Sequence, residues 1–332
     1  MIISFAIVAF NEETYLPELL NDLKQQDYPH SKIEVLLIDS MSTDNTRRIM
    51  EDFSAEDNGF LAVKVLENPK KIIPCGHNVA LENYTGEALV RIDAHASMPA
   101  DFISKNVAVL NSGEMASGGR RPNIIDDSTP FKETLLSAEQ SMFGSGFASY
   151  RNSNKKMYTS SLFCGMYKRE IYDNVGKYNE LLPRSEDNDM TYRIRKAGFK
   201  LCYSPDIVFY QHTRNSLPKM LKQKYLNGYW IGKTMGISPK CFSLFHFVPF
   251  AFVLAIIFTT VLALLGFPLL SYLMWIAYIS LITVMTVAEI IKKPVITNLL
   301  LPFVFFLLHI SYGVGTLLGL IVMPFWVKKV KR

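Results

Sequence analysis

The C-terminal third of this chain carries almost no charge. Between residues 242 and 326 the formally charged residues are Glu289, Lys292 and Lys293. Two apolar stretches, Phe242 to Leu265 and Leu269 to Ile291, each exceed the roughly 20 residues that cross a bilayer as a helix. This composition predicts a transmembrane domain over residues 241–332, joined to a polar N-terminal part.

A third apolar segment, Leu299 to Trp326, leaves the number of crossings open. It contains Pro302 and Gly313, which favour a broken or re-entrant segment. If the N-terminal part is cytoplasmic, three crossings place the C-terminal lysines outside, against the preference of positive charge for the inside. The sequence therefore predicts two or three apolar segments without fixing which of them cross.

Residues 214–240 separate the two parts and carry a basic amphipathic pattern. Leu217, Met220, Leu221 and Tyr225 lie near one helical face, and lysines surround them. The pattern predicts an interfacial helix and linker lying on a membrane. A helix packed on the rest of the protein is the alternative.

Residues 1–213 alternate apolar strands with helices. The predicted strands are Ile2–Phe10, Lys32–Ile38, Leu61–Leu66 and Ala88–Ile92, with amphipathic helices between them. This alternation predicts an α/β domain with a mostly parallel, Rossmann-like sheet. The four cysteines show no paired spacing and predict isolated thiols. The modest net charge of +5 does not suggest a nucleic-acid partner.

Acidic residues follow three of the predicted strands. Glu12, Asp39 and Asp93 should share one edge of a parallel sheet, where ligands of such sheets bind. Three carboxylates gathered there are costly unless hydrogen-bond donors or a metal ion occupy the space. In Asp93-Ala94-His95, a carboxylate and an imidazole could hold a divalent cation that binds a substrate diphosphate. The alternative is that each acid caps the helix after it.

A further acidic cluster, Ser185-Glu186-Asp187-Asn188-Asp189, opens a predicted helix. Acids in a first turn commonly complement the helix dipole, and the same dipole keeps a carboxylate ionised, as a general base requires. Both interpretations remain open on the residues alone.

In combination, these motifs resemble family 2 glycosyltransferases of the GT-A fold. The resemblance covers about the first 230 residues and is carried by Ala9-Phe10-Asn11-Glu12, by the turn from Asp39 to Thr46, and by Asp93-Ala94-His95. Within the family, Ser141-Met142-Phe143-Gly144-Ser145-Gly146 and Tyr150-Arg151 are most similar to succinoglycan-type exopolysaccharide glycosyltransferases.

The resemblance implies roles for individual residues. Asp187 matches the second member of the family's Glu-Asp pair, the base that deprotonates the acceptor. Asp93 and His95 stand where the family has its metal-binding Asp-x-Asp, which implies Mn²⁺ or Mg²⁺, and imidazole suits Mn²⁺ better. The implied nucleotide-sugar contacts are Asn11, Glu12, Asp39, Lys71, Gly76, Asn78, Arg91 and Asp93. The implied acceptor side comprises Cys164, Gly165 and Glu186, with a buried packing turn as the alternative for the first two.

The function implied is an inverting, metal-dependent transfer of one sugar from a nucleotide sugar, a UDP-sugar above all, to a lipid-linked saccharide. The acceptor would be reached at the cytoplasmic face of the cell membrane, in exopolysaccharide or cell-surface glycan synthesis. Gln223-Lys224-Tyr225-Leu226 lacks the Arg-Trp of the Gln-x-x-Arg-Trp motif of processive synthases, which favours a single addition. The alternatives are a polyprenyl-phosphate or sphingolipid glycosyltransferase, and a non-catalytic membrane scaffold with a decayed nucleotide pocket.

Overall fold

The computed structural model describes residues 1–144, 153–213 and 215–330. They form two compact units, one of residues 1–122 and 153–212 and the other of residues 123–144, 213 and 215–330. Part of the succinoglycan-like motif, Ser145-Gly146 and Tyr150-Arg151, lies outside the described residues.

The first unit is built on a mostly parallel sheet of eight strands in the order β3-β2-β1-β4-β9-β6-β10-β8. Strands β1 to β4 are mutually parallel where they pair, while β9 is antiparallel to both of its neighbours, β4 and β6. The strands of the first unit are β1 Ile3–Ala9, β2 Ile33–Asp39, β3 Ala62–Glu67, β4 Ala88–Asp93, β5 Ala96–Ser97, β6 Ala116–Arg120, β8 Met157–Thr159, β9 Met166–Lys168, β10 Leu201–Val208 and β11 Tyr210–His212, and the short strand β7 Asn123–Ile124 belongs to the second unit.

Helices cover both faces of this sheet, because its central strands are apolar on both sides. One face packs on α1, α2 and α4 and the other on α3, α6 and α7, and each face has its own buried core. The helices of the first unit are α1 Leu16–Lys24, α2 Thr46–Ala55, α3 Ile73–Asn83, α4 Phe102–Asn111, α6 Arg169–Val175 and α7 Glu186–Lys196, with a 3₁₀ turn at His30–Lys32. The predicted α/β fold class is confirmed.

The second unit is helical and contains the apolar segments. Three of them are long and apolar enough to cross a membrane: Leu244–Leu264, Leu269–Lys292 and Ile296–Val330. The last was expected to be broken, but it contains one continuous helix through its glycines. The elements are α5 Pro130–Gln140, α8 Leu217–Thr234, α9 Val248–Leu264, α10 Leu269–Lys292 and α11 Leu301–Val330, with 3₁₀ turns at Pro239–Cys241, Leu244–Phe247 and Ile296–Leu300.

Residues 123–144 group with this helical unit, whereas the sequence pattern predicts a domain of residues 1–213. Leu135 and Ala138 of α5 are fully buried in a core that includes Leu301 and Phe305 of α11. The Lys224 ammonium of α8 donates to Glu139 Oε1 of α5 at 3.0 Å. An apolar face and a buried ion pair therefore hold α5 in the helical unit.

Candidate active site

Parallel pairing brings the strand-end acids to one edge of the sheet. In the register of the sheet, Asp39 is opposite Ala9 and Asp93 is opposite Val8, so the two acids flank the end of β1. Glu12 follows β1 in the next loop. The structure therefore places all three carboxylates at the carboxyl edge.

Hydrogen bonds join the loop after β1 to the loop after β2. Asn11 adopts a left-handed backbone conformation with φ 55°. Its N–H donates to Ser42 Oγ at 3.0 Å, and its side-chain oxygen accepts from the Thr43 N–H at 2.8 Å. The Glu12 N–H donates to Thr46 Oγ1 at 2.7 Å. These bonds fix the position of Glu12 relative to the start of α2.

Asp39 is 1% exposed, and its carboxylate accepts a hydrogen bond from the Ser42 N–H at 3.0 Å. Lys71 has φ 63° in the turn before α3. A Cβ on Gly76 would lie 2.5 Å from Val8 Cγ1, so only glycine lets α3 lie this close to β1.

Asn78, expected at the nucleotide, instead binds backbone. Its amide oxygen accepts from the Tyr178 N–H at 2.8 Å, and its amide nitrogen donates to the Tyr178 carbonyl at 3.0 Å. This pair of bonds anchors the segment before α7, because both polar atoms of the buried side chain are satisfied there.

Glu12 orients the histidine of the Asp93-Ala94-His95 motif. His95 Nδ1 lies 3.2 Å from Glu12 Oε1. A carboxylate on one ring nitrogen fixes the tautomer of a histidine whose other nitrogen can bind a metal. Within residues 1–144, 153–213 and 215–330, no three His, Cys, Asp or Glu side chains form a group that could hold a metal ion. Asp93 and His95 as metal ligands remain a prediction, and two protein donors would suit a cation bound mainly through substrate phosphates.

Arg91 is a predicted donor contact, and in the structure its guanidinium binds protein groups. It is 9% exposed; Nη2 donates to Asp187 Oδ1, and Nη1 contacts Nε2 of the buried His77. The ring of Tyr178 lies 5.4 Å from the guanidinium carbon. Burial opposes the charge of Arg91, yet the Asp187 carboxylate holds the Arg91 pKa well above its ordinary value. Burial and the Arg91 charge lower the His77 pKa, so this imidazole is neutral and accepts from Arg91.

Two adjacent carboxyl groups open α7 in different environments. Glu186 is 8% exposed, and burial, with the neighbouring Asp187 charge, raises its pKa to about 8. The Asp187 side chain is 21% exposed and is bound to Arg91. The raised pKa keeps Glu186 mostly protonated at neutral pH.

The turn at Cys164 and Gly165 is tightly packed. Cys164 is 3% exposed with φ 46°, and burial raises the pKa of its thiol, helped by the nearby Asp93 charge. A Cβ on Gly165 would lie 3.1 Å from both the Ser117 carbonyl oxygen and the Tyr167 ring. The thiol is thus neutral and close to Asp93; an acceptor contact here remains a prediction.

His77 and Tyr178 were not singled out from the sequence. His77 lies inside α3 and Tyr178 lies in the loop before α7, and neither belongs to a recognisable motif. Only the fold brings them to Arg91, so no local signal in the sequence could have identified them.

Residues 4–176, more than half of the chain, match the family model described as glycosyl transferase family 2. The chain belongs to this family. It is a glycosyltransferase with the GT-A fold, and the resemblance read from its motifs is confirmed.

Two relatives and one solved structure are similar to this chain over most of its length. The chain is 27% identical over 321 residues to a dolichyl N-acetyl-alpha-D-glucosaminyl phosphate 3-beta-D-2,3-diacetamido-2,3-dideoxy-beta-D-glucuronosyltransferase of Methanococcus voltae, covering 94% of this chain and 95% of the relative. It is 25% identical to the succinoglycan biosynthesis protein ExoA of Rhizobium meliloti, over 68% of this chain and 67% of that protein. The mannosyltransferase PcManGT from Pyrobaculum calidifontis, solved with GDP-Man and Mn²⁺, superposes with a TM-score of 0.61 at 19% identity, covering 93% of this chain and 86% of that one. The last likeness bears on the fold alone.

Proposed function

We propose that this glycosyltransferase moves a single sugar from a UDP-sugar to a lipid-linked saccharide, with inversion, at the cytoplasmic face of the cell membrane. The observation that carries the proposal is the ion pair of Arg91 and Asp187, next to the buried carboxyl group of Glu186. Arg91 lies two residues before Asp93 on the same strand, so a base and a candidate diphosphate site share one strand end.

In the proposed reaction, the acceptor hydroxyl oxygen attacks the anomeric carbon while Asp187 takes the hydroxyl proton. The bond from that carbon to the diphosphate oxygen breaks, and the nucleoside diphosphate leaves from the opposite face. One in-line displacement inverts the anomeric configuration. Arg91 holds one oxygen of Asp187 through a charge-assisted bond and thereby orients the carboxylate.

A divalent cation, Mn²⁺ or Mg²⁺, held by Asp93 and His95 would neutralise charge on the leaving diphosphate. Glu12 would orient the imidazole from behind, and Asp39 and Asn11 would contact the nucleoside. Cys164 and Gly165 would border the acceptor.

Two features support a lipid-linked acceptor. The helical unit contains three segments apolar enough to cross a membrane. The Methanococcus voltae relative, which aligns with nearly the whole chain, is named for transfer to a dolichyl-linked sugar phosphate. A membrane-bound enzyme meets a lipid-linked acceptor at the surface where nucleotide sugars are available.

The test uses membranes that contain the full chain and a panel of radiolabelled UDP- and GDP-sugars. Each donor is offered with an undecaprenyl-diphosphate-linked saccharide or with bare polyprenyl phosphate, with and without Mn²⁺. We expect one UDP-sugar to label the lipid-linked saccharide only when the cation is present. Label on bare polyprenyl phosphate alone would replace the proposed acceptor, and transfer by no donor, with nucleotide still bound, would favour a scaffold.

A further inference from the structure

Helices α8 and α11 lie side by side and run in the same direction. Glycines in α8 and just after it contact positions in α11 in increasing order along both segments. A Cβ on Gly228 would lie 2.1 Å from Tyr312 O, one on Gly232 would lie 2.5 Å from Thr316 O, and one on Gly236 would lie 2.5 Å from Val327 Cγ2. From the other helix, a Cβ on Gly315 would lie 2.2 Å from the Tyr225 carbonyl oxygen. The two backbones are therefore in direct contact, and α8 ends beside the C-terminal part of α11.

Helices α9 and α10, which lie between α8 and α11 in the chain, form an antiparallel hairpin. Phe252 of α9 stacks on Tyr278 of α10 with ring centroids 4.2 Å apart, and Thr259 Oγ1 donates to Met274 Sδ at 3.6 Å. The start of α9 and the end of α10 are thus on one side of this hairpin. The end of α10 leads directly through the short 3₁₀ turn Ile296–Leu300 to the start of α11.

These connections conflict with a crossing by α11. If α11 crossed the membrane after a crossing hairpin, α8 would have to cross beside it. The end of α8 would then lie on the side of the membrane opposite to the start of α9. Residues 235–247 would then have to return through the hydrocarbon before α9 begins. They contain only the 3₁₀ turns Pro239–Cys241 and Leu244–Phe247, and irregular backbone exposed to lipid does not span a bilayer.

We propose that only the α9–α10 hairpin crosses the membrane and that α8 and α11 lie together on the membrane surface from which the hairpin enters. The partner of this helix pair is the anionic lipid surface of that leaflet. The end of α11 then lies on the same side of the membrane as the start of α8, which the chain joins directly to the first unit, called the catalytic unit below.

The distribution of charge agrees with this arrangement. Exposed lysines of the helical unit all fall on one side under it: Lys219, Lys222, Lys240, Lys292, Lys293, Lys328 and Lys329. The conflict between three crossings and the positive-inside preference disappears. Lys233 Nζ lies 4.0 Å from the Trp230 ring centroid and 4.4 Å from that of Trp326, a combination of cation and indoles suited to the headgroup region. This inference concerns how the protein is seated in the membrane and does not depend on the transfer reaction.

Single-cysteine labelling of the full chain in cells tests the proposal. Asp57→Cys reports on the catalytic unit, Phe267→Cys on the hairpin tip, and Lys329→Cys on the end of α11; all three positions are exposed. The four native cysteines are buried, and the unsubstituted chain gives their background. A membrane-impermeant maleimide is applied to intact and then to permeabilised cells, and transfer activity is measured separately.

We expect Asp57→Cys and Lys329→Cys to be labelled only after permeabilisation, and Phe267→Cys to be labelled in intact cells. Labelling of Lys329→Cys together with Phe267→Cys would mean that α11 crosses, and would overturn the proposal. Identical behaviour of all three positions would also overturn it, because the hairpin would then not cross. Labelling of every variant in permeabilised cells verifies that each site is accessible.

Discussion

The two neighbouring carboxyl groups of α7 differ in burial, and we propose the more exposed one, Asp187, as the base. We expect Asp187→Asn to reduce transfer by about 10²- to 10⁴-fold, the range typical of general-base catalysis, because an amide does not accept the hydroxyl proton. Donor binding, measured by titration with UDP, should be retained. Asp189→Asn is the matched control, since Asp189 lies in the same turn but binds Arg193 at 2.8 Å. Turnover of Asp187→Asn near that of wild type would remove the assignment.

The raised pKa of Glu186 predicts that the stability of the folded chain depends on pH. Its folded pKa of about 8 lies above the ordinary 4.5, so the folded chain binds the extra proton between these values. The stability associated with the protonated group is fully present below about pH 4.5 and is lost as pH rises toward 8. Glu186→Gln keeps a neutral side chain, so thermal unfolding in detergent should depend less on pH between 5 and 8 than in wild type. Equal slopes for the two proteins would contradict a protonated Glu186.

We predict that the imidazole of His95 sets the metal preference of the enzyme. His95→Asp restores two carboxylates, so we expect Mg²⁺ to support a larger share of the Mn²⁺-dependent rate, because hard oxygen ligands suit Mg²⁺. The measurement is the ratio of initial rates with each ion after chelation. The control is His30→Asp, because His30 lies outside the site and its imidazole contacts the Asn58 carbonyl oxygen. An unchanged ratio in His95→Asp would separate this residue from the cation.

At the residue scale, the sequence predicted what strand topology determines and missed what long-range packing determines. Asp39 and Asp93 could be placed at one edge because residues at the ends of parallel strands must share it. The contacts of Arg91 with His77 and Asp187 could not be predicted, since they depend on how α3 and α7 pack over β4. The same holds for Asn78 and Tyr178, which lie 100 residues apart in the chain.

At the element scale, periodicity identified individual strands and helices but not their partners. The first four strands and their helices follow from alternating apolar segments. The antiparallel insertion of β9 between β4 and β6 does not, because a three-residue strand carries too little pattern. Likewise, the glycines of α11 were interpreted as breaks, although they are sites of close helix contact.

Close contact between α8 and α11 predicts that bulk at the glycines destabilises the helical unit. A side chain at Gly315 would collide with the Tyr225 backbone, and overpacking typically costs about 1–3 kcal/mol or more. We therefore expect Gly315→Leu to lower the unfolding temperature in detergent. Ala277→Leu adds similar bulk at an exposed position of α10 and should have little effect. Equal behaviour of the two variants would argue against the observed helix contact.

At the scale of the whole molecule, the break in charge near residue 242 predicts a polar part and an apolar part. It gives no sign that residues 123–144 pack with the helices, because α5 is polar enough to resemble the first domain. Two patterns of burial result: the sheet buries its apolar residues within the protein, whereas α9 and α10 leave most of theirs exposed. An exposed apolar surface of this size marks a contact with a membrane or a protein, and we propose hydrocarbon as the environment of the hairpin.

That exposed surface predicts how the chain is retained in membranes. We expect wild-type protein to stay in the pellet after salt and alkaline carbonate washes and to be released by detergent. Ile257 and Ile279 are 49% and 56% exposed near the middles of α9 and α10. Each change to Arg costs roughly 2.5–3.5 kcal/mol at the bilayer centre, so the double variant should shift toward the carbonate supernatant. Leu61→Arg with Met157→Arg, at exposed apolar positions of the sheet unit, should leave the chain in the pellet. Release of wild type by carbonate would show that the hairpin only rests on the membrane, since alkaline washes remove proteins that do not penetrate the hydrocarbon.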